Sequence, residues 1–270
     1  MCFTVNVNIV REELEERFGS ELIDHDKYRP SFYYHAYSLP YMPVVCSSGA
    51  TGTASTSSSA GNPRTSDSSG SSGSSATSGS SELRLMRWGL IPSWVGDEIE
   101  AKDIIMKTFN ARSETVATKP AFSGSFASRR CLVPVRGFFE WQHLGGRKIP
   151  WYITLRDEEI ISLAGIWDSW TLQGGVTLDT FSVVTTRANE LMEEIHNTKK
   201  RMPVILPRAS EKIWLGEEAS ADVLTGLMEP VASGMLEAHT ISPLITNVRA
   251  DRNRPELIMP YSYPVQGTLF

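Results

Sequence analysis

The sequence predicts an α+β fold, with a single domain built around an antiparallel, barrel-like β-sheet and peripheral helices. Three observations predict it. Alternating or continuous apolar segments typical of strands recur along the chain, helical patterns are short and few, and no repeat of 20–50 residues is visible. Many strands with few helices are typical of a domain in which helices lie around one sheet.

The first two elements are predicted from apolar spacing. Residues 3–9 alternate apolar and polar, which indicates a half-buried strand. Apolar residues then recur at every fourth position from 10 to 22. This spacing predicts an amphipathic helix, and Gly19 marks the point near which it ends.

Residues 47–81 are almost entirely Ser, Gly, Thr and Ala. Such a stretch cannot bury enough apolar area to offset its ordering entropy, so it is predicted to be a disordered insertion. Residues 41–46 and 83–88, on either side, have strand patterns. We therefore expect a long loop between two adjacent strands, because 46 residues alone would make a marginal domain. The single domain then comprises residues 1–46 and 82–270.

The rest of the chain contains further strands and short helices. Strands are predicted at residues 131–135, 151–155, 160–167 and 180–185, and helices at residues 188–195, 210–215 and 219–228.

The net charge of −5 is unevenly distributed along the chain. Residues 82–208 contain 17 Lys and Arg against 15 Asp and Glu, a net of +2, and the remainder carries −7. Total charge therefore does not indicate nucleic-acid binding. A local basic groove in the central part remains compatible with it.

Cysteine usage and hydropathy indicate the compartment. Cys2, Cys46 and Cys131 lie at no metal-like spacing, which predicts a reducing compartment with no disulfide framework, metal or cofactor. No run approaches 18 apolar residues, and no secretory signal precedes residue 20, so no membrane association is expected. The expected location is the cytoplasm, and the family resemblance described below further implies association with the nucleoid, or the nucleus if the source is eukaryotic.

Cys2 is the most reactive candidate residue. Removal of Met1 exposes an α-amine with a pKa of about 7.7–8.0 beside a thiol. An aldehyde that meets both groups can close a five-membered thiazolidine, which a lysine or an internal cysteine cannot form alone. The alternative is that Cys2 only precedes a buried first strand.

Two further residues are candidates for acid–base chemistry. Glu140 lies among aromatic residues in the segment 137–141, and such surroundings raise a carboxyl pKa. The alternative is a glutamate at a strand edge that points to water. His196 lies between a predicted helix and strand, where a side chain can be aimed at a site. Its alternative is a surface or helix-capping histidine.

Other polar and aromatic residues suit a nucleic-acid ligand. Asn110 and Arg112 share one side of an extended segment, where they can hydrogen-bond a substrate and hold a phosphate; the alternative is a loop stabilised by Asn110. Trp88, Trp94 and Trp141 can stack on bases, although tryptophans more often lie in the core.

Several motifs, by their order and their residues, together resemble those of one family. They are Met1-Cys2, YRPSFY (28–33), MRWGLIPSW (86–94), FNARSET (109–115), Arg130-Cys131, GFFEW (137–141), LAGIWD (163–168), Ile195-His196 and RMPVIL (201–206). This set is similar to that of the SOS-response-associated peptidase (SRAP) proteins, which crosslink to abasic sites in single-stranded DNA. Apart from the Ser/Gly-rich insertion, the resemblance covers nearly the whole chain.

The resemblance implies a DNA repair protein of the SRAP fold that crosslinks itself to DNA. The Cys2 amine would form a Schiff base with the ring-opened abasic sugar, and its thiol would close the thiazolidine. Asn110 would orient the amine or product ring, Glu140 would shuttle protons, and His196 would act as acid or base near the sugar oxygen. Family members also release their own N-terminal residue and have a lyase-like or reversal activity.

The resemblance also implies which residues bind single-stranded DNA. Arg112 and Arg201 would hold phosphates, and Trp88 and Trp141 would pack against the DNA around the site. Nothing in the sequence identifies a protein partner such as a replication-fork protein.

The chain departs from the family pattern in three places. Members begin Met-Cys-Gly-Arg, whereas Phe3-Thr4 follow Cys2 here, and Tyr33-Tyr34 stands where Tyr-Asn is usual. Residues 197–200 lengthen the segment between the histidine and Arg-Met-Pro. We hypothesise that Lys199 and Lys200 supply the phosphate contact that the missing arginine would have made. The alternative is a solvated turn.

Two other functions remain open at this stage. A class II glutamine amidotransferase also uses a mature N-terminal cysteine, but no synthase domain or glutamine-binding motif is recognisable. A catalytically silent module that binds single-stranded DNA is the second. Covalent adduct formation, ammonia release from glutamine and salt-sensitive binding alone distinguish the three.

Overall fold

The computed structural model describes residues 2–47, 81–172 and 174–264. Met1 and most of the predicted insertion, residues 48–80, lie outside these ranges. In chain order the strands and α-helices are β1 (Thr4–Val7), α1 (Arg11–Phe18), β2 (Ser31–His35), β3 (Tyr41–Ser47), β4 (Ser81–Trp88), α2 (Glu98–Ile105), β5 (Asn110–Arg112), α3 (Ser123–Ser128), β6 (Arg130–Val135), β7 (Gly137–Leu144), β8 (Arg147–Leu155), β9 (Ile161–Thr171), β10 (Thr177–Arg187), α4 (Glu190–Ile195), β11 (Arg201–Pro203), β12 (Ile205–Leu206), α5 (Arg208–Leu215), α6 (Ala221–Leu227) and β13 (Leu236–Thr240).

Five strands close into a β-barrel. β3 pairs with β4 and β6, β6 pairs with β9, and β9 pairs with β10, all antiparallel. β10 then pairs with β4 and closes the ring. The predicted barrel-like α+β fold is confirmed, with one correction: β10 runs parallel to both β4 and β5, so the sheet is mixed rather than purely antiparallel.

The ends of the insertion lie on two paired strands. Ser47 and Ser81 belong to β3 and β4, and they pair with each other at the end of that ladder. The insertion therefore begins after Ser47 and ends before Ser81. The predicted adjacency of the two flanking strands is confirmed.

A second, open sheet packs beside the barrel. Its strand order is β13-β8-β7-β1-β2, with antiparallel neighbours. The buried hydroxyl of Tyr28 donates to the carbonyls of Val7 and Ile9 at 3.1 and 2.7 Å and secures the chain where it leaves β1. The shared core includes Trp88, stacked on Phe181 at 6.0 Å.

Local signals set the helix ends. The Val10 N–H donates to the Glu13 carboxylate at 3.0 Å, and α1 stops where Gly19 adopts a left-handed φ of 64°, as predicted. α2 was not predicted from the sequence, although the Asp97 side chain caps it by accepting two backbone N–H groups. Nor was α3, whose short Ser/Gly-rich segment has little helix propensity of its own.

None of the helices within the described ranges is long and apolar enough to span a membrane.

Candidate active site

Strand pairing brings the N-terminus to the aromatic segment at 137–141. β1 pairs with β7 so that Val5 faces Phe138 and Asn6 faces Gly137, and the same register continued would place residue 3 opposite Glu140. Gly137 is required here, because a Cβ at this position would lie 2.5 Å from the Ile153 carbonyl oxygen. The tight packing at Gly137 therefore lets β7 present Glu140 beside the start of the chain.

Successive side chains of β7 point to opposite faces of the sheet, and this alternation determines which of them contact the main core. Glu140 is two residues from Phe138 and shares its face, which contacts the main core, whereas Phe139 and Trp141 contact a smaller cluster on the other face. Glu140 is only 3% exposed, so the alternative of a strand-edge glutamate pointing to water is wrong. Burial raises the pKa of the Glu140 carboxyl to about 7.

Cys2 lies within the field of this carboxyl. Its side chain is fully buried, and this burial raises the pKa of the thiol far above its usual range; the nearby charge of Glu140 raises it further. The Cys2 thiol therefore remains protonated near neutral pH.

His196, the C-cap residue of α4, approaches the same carboxyl. Its Nε2 lies 3.8 Å from Glu140 Oε2, and its Nδ1 lies 2.8 Å from the Arg201 carbonyl oxygen. Because a carbonyl can only accept, Nδ1 carries the proton and the neutral ring presents the Nε2 lone pair toward Glu140. Burial lowers the pKa of His196, which favours this neutral form. The histidine is 7% exposed, so the alternative of a surface histidine is wrong.

The segment after His196 is attached to β7. The Asn197 Oδ1 accepts the His143 N–H at 3.0 Å, and the Asn197 Nδ2 donates to the His143 carbonyl at 2.8 Å. Gln142 Nε2 donates to the Glu194 carbonyl at 3.1 Å. These bonds hold the histidine loop against the strand that carries Glu140. Asn197 and Gln142 were not predicted from the sequence, since neither belongs to a recognisable chemical motif.

Asn110 contributes an unusual amide. It begins β5, which pairs in parallel with β10, and neither its Nδ2 nor its Oδ1, both buried, has a hydrogen-bond partner. A buried polar group left unpaired costs about 1–3 kcal/mol. This finding argues against Asn110 as a residue that stabilises a loop. It indicates an amide available to a ligand.

The two predicted phosphate-binding arginines differ in their surroundings. Arg112 is exposed at the end of β5. Arg201 is already engaged, because its Nη2 donates to the Glu114 carboxylate at 3.0 Å and to the Thr185 carbonyl at 2.6 Å. Its side chain is 12% exposed. In this conformation Arg201 positions Glu114 and β11, and a phosphate would have to displace Glu114 to reach it.

The predicted role of Trp88 is wrong. Trp88 is fully buried, and its Nε1 donates to the Phe109 carbonyl at 2.9 Å, so it supports the chain that leads into Asn110 and cannot touch DNA. Trp141 is half-buried at the margin of the smaller cluster. Trp94 is 56% exposed.

The two lysines of the extended loop are not equivalent. Lys200 Nζ lies 3.0 Å from the Glu193 carboxylate. Lys199 is exposed, and its charge contributes to the lowered pKa of His196, which places it near the imidazole. Among the residues that the structure describes, no group of three or more His, Cys, Asp or Glu side chains could hold a metal ion.

Comparison with known proteins identifies sequences of similar pattern. The family model described as SOS response associated peptidase (SRAP) matches residues 1–248. The abasic site processing protein YoqW of Bacillus subtilis is 39% identical over 181 residues, which cover 66% of this chain and 77% of that protein. The abasic site processing protein HMCES of Gallus gallus is 34% identical over 198 residues, which cover 65% of this chain and 56% of that protein.

Solved structures agree with the observed architecture. A crystal structure of a protein from Bacteroides thetaiotaomicron superimposes with a TM-score of 0.80 at 30% identity, covering 97% of this chain and all of the other. A crystal structure of a protein from Bordetella bronchiseptica gives a TM-score of 0.68 at 20% identity, covering 89% of this chain and all of the other. At that identity the second likeness concerns the fold alone.

Proposed function

The chain belongs to the SOS response associated peptidase (SRAP) family, and from this premise we propose that it repairs DNA by crosslinking itself to abasic sites in single-stranded DNA. The bond is a thiazolidine between Cys2 and the sugar aldehyde. The names of the relatives YoqW and HMCES support abasic-site processing as the function. The observation that carries the chemistry is the buried Glu140 carboxyl, which lies 3.8 Å from His196 Nε2 and whose charge acts on the Cys2 thiol.

The reaction proceeds in three balanced steps. Water first cleaves the Met1–Cys2 peptide bond, which releases methionine and frees the Cys2 α-amine. The amine then adds to the C1′ aldehyde of the ring-opened deoxyribose, and loss of water leaves an imine. Finally the Cys2 sulfur adds to the imine carbon while the thiol proton passes to the nitrogen, which closes the five-membered ring.

The order of amine before thiol agrees with the electrostatics of the site. The raised pKa of the Cys2 thiol disfavours a thiolate, so the thiol is a poor first nucleophile near neutral pH. An α-amine has a pKa of about 7.7–8.0 and is partly neutral under the same conditions. The imine therefore forms first, and the thiol reacts afterwards with a carbon held beside it.

Glu140 and His196 supply the proton transfers. A carboxyl with a pKa of about 7 can donate a proton to the departing hydroxyl and take one from the attacking amine. The neutral His196, with its Nε2 toward Glu140, acts as acid or base at the sugar oxygen during ring opening. The same groups, acting in reverse, reopen the ring and hydrolyse the imine, which accounts for a reversal activity. A lyase-type activity needs a further step, in which a base removes a C2′ proton from the imine and the 3′ phosphate leaves by β-elimination.

Asn110 and the basic residues orient the strand. The unpartnered amide of Asn110 hydrogen-bonds the Cys2 amine or the product ring, which removes the penalty of leaving it unpaired. Arg112, exposed on the same strand, binds a phosphate of single-stranded DNA.

Intact mass after incubation with an abasic single-stranded oligonucleotide tests the proposal. Wild type should lose Met1 and gain the mass of the oligonucleotide less one water. Cys2→Ala should form no heat-stable adduct while keeping its fold and most non-covalent DNA binding. Cys2→Ser should form an imine that borohydride traps but no stable ring.

Three outcomes contradict the proposal. A heat-stable adduct in Cys2→Ala would show that another residue reacts. Absence of any adduct in wild type would leave non-covalent DNA binding as the only activity, as in a catalytically silent DNA-binding module. Ammonia release from glutamine would instead indicate an amidotransferase.

A further inference from the structure

A small cavity with aromatic walls adjoins Asn110. Its volume is about 180 Å³. It is lined by Phe3, Tyr37, Met106, Lys107, Phe109 and Asn110. Two of these residues connect it to the active site, because Phe3 follows Cys2 and Asn110 carries the unpartnered amide. The cavity is therefore placed to receive whatever lies next to the reacting sugar.

The walls of the cavity are apolar and partly exposed. The Tyr37 ring lies 5.5 Å from Phe3 and 5.0 Å from Phe109, measured between ring centroids. Nevertheless Tyr37 is 53% exposed and Met106 is 42% exposed. Large apolar side chains grouped at the surface around a concavity are typical of a binding site, whereas core side chains would be covered.

A row of rings leads away from the cavity along β2. Tyr33 and His35 lie on one face of this strand and stack at 6.0 Å, and His35 lies 5.4 Å from Tyr37. Burial lowers the pKa of His35, so its ring is neutral. At the far end the Arg252 guanidinium lies 4.0 Å from the Tyr33 ring. The row thus combines stacking surfaces with a cation at one end.

An abasic nucleotide imposes a particular requirement on its binding site. It has no base, so stacking energy for the strand must come from the nucleotides beside it. Aromatic side chains supply such energy without regard to base identity. Thr4 cannot supply a phosphate contact in compensation, because it is fully buried and its hydroxyl lies 3.0 Å from His35 Nδ1.

We propose that this cavity binds the nucleobase adjacent to the abasic site, stacked against Tyr37 and enclosed by Phe3 and Met106. This inference rests on the proposed function and identifies how the strand is held. Phe3, where the family pattern has glycine, forms one wall of the subsite.

Coupling between Tyr37 and the neighbouring base tests the inference. The Cys2→Ala protein, which cannot form the ring, is titrated with single-stranded oligonucleotides that carry a central tetrahydrofuran. In companion oligonucleotides the 5′ or the 3′ neighbour is also tetrahydrofuran. Removal of the base on one side should weaken binding about tenfold, as should Tyr37→Ala. The two losses should not add, because both remove the same stack.

Matched variants complete the experiment. Tyr37→Phe should bind as the parent does, and Tyr41→Ala should show no coupling to either base, since Tyr41 is similarly exposed (41%) but does not line the cavity. Thermal unfolding of each variant checks the fold. Additive losses, or no loss from Tyr37→Ala, would overturn the inference. Adduct formation by the wild type, measured separately, reports on the proposed function, so the two can fail independently.

Discussion

Two polar side chains, one in the barrel and one in the active site, differ in their hydrogen bonding. Arg130, at the start of β6, is 4% exposed and donates to four backbone carbonyls. These belong to Phe126, Ala127, Trp214 and Gly216. Asn110, at the start of β5, has two buried polar atoms and no partner for either. No other side chain in the described part of the chain has two such atoms.

The difference separates polar groups that hold the fold from those that await a ligand. Arg130 joins α3 and the end of α5 to the barrel, and every bond it makes is internal. Asn110 and Glu140 instead make folding less favourable. Asn110 has a buried amide without a partner, and Glu140 has a carboxyl whose ionisation is opposed by burial. Such destabilising groups are retained where function requires them. Substitution of Arg130 should therefore reduce stability and leave activity unchanged, whereas substitution of an active-site residue should reduce activity without reducing stability.

The largest expected effect is on the barrel side. Arg130→Met should destabilise the protein by about 3 kcal/mol, because four backbone carbonyls, two of them in buried and two in partly buried hydrogen bonds, lose a charged donor. Denaturant unfolding measures the loss. Arg130→Lys, which keeps the charge but fewer donors, should lose less. Crosslinking by the fraction of Arg130→Met that is folded should proceed at the wild-type rate, and a slower rate would show that Arg130 also serves the site.

On the active-site side, Glu140→Gln should slow crosslinking roughly 10²-fold, the usual range for loss of a general acid or base. The wild-type rate should be bell-shaped in pH. It rises as the Cys2 amine, a group whose ordinary pKa is about 7.7–8.0, loses its proton, and it falls as Glu140, whose pKa burial raises to about 7, loses its own. Single-turnover rates from pH 5.5 to 9 should show that Glu140→Gln lacks the falling limb. A falling limb retained in the variant would assign that proton to another group.

The same substitution should increase stability at high pH. The pKa of Glu140 is raised in the folded state, so the unfolded chain releases this proton first and wild-type stability falls as pH rises from about 4.5 to about 7. Glu140→Gln has no such proton. Its stability relative to wild type should therefore grow between pH 5 and pH 8, by roughly 3 kcal/mol at most. Equal pH dependence in urea titrations of both proteins would show that burial does not oppose the charge.

The smallest expected effect concerns the loop lysines. Lys199→Ala should flatten the log–log salt dependence of single-stranded DNA binding by about 0.7, the contribution of one phosphate contact. Lys200→Ala should change it less, because Lys200 is paired with Glu193. An unchanged slope in both variants would favour a solvated turn. Wild-type binding at several salt concentrations provides the reference.

Local features of the chain were predictable from sequence. The stop of α1 at Gly19 and the strands on both sides of the insertion follow from residues within a few positions of one another. The prediction that Cys2, Asn110, Glu140 and His196 form one site came from the resemblance of their motifs to those of the family. The structure brings Cys2, Glu140 and His196 together and adds the unpaired state of Asn110.

The features that only the tertiary structure decided depend on contacts between segments that are distant in the sequence. The sequence determined that a thiol and an amine can adjoin at Cys2 and that Glu140 alternates with aromatic residues. It did not determine that Trp88 is fully buried, that Arg201 is held by Glu114, or that β10 runs parallel to β4 and β5. Burial, ion pairing and strand direction are set by residues tens of positions away, and local periodicity carries no information about which distant partner a side chain meets.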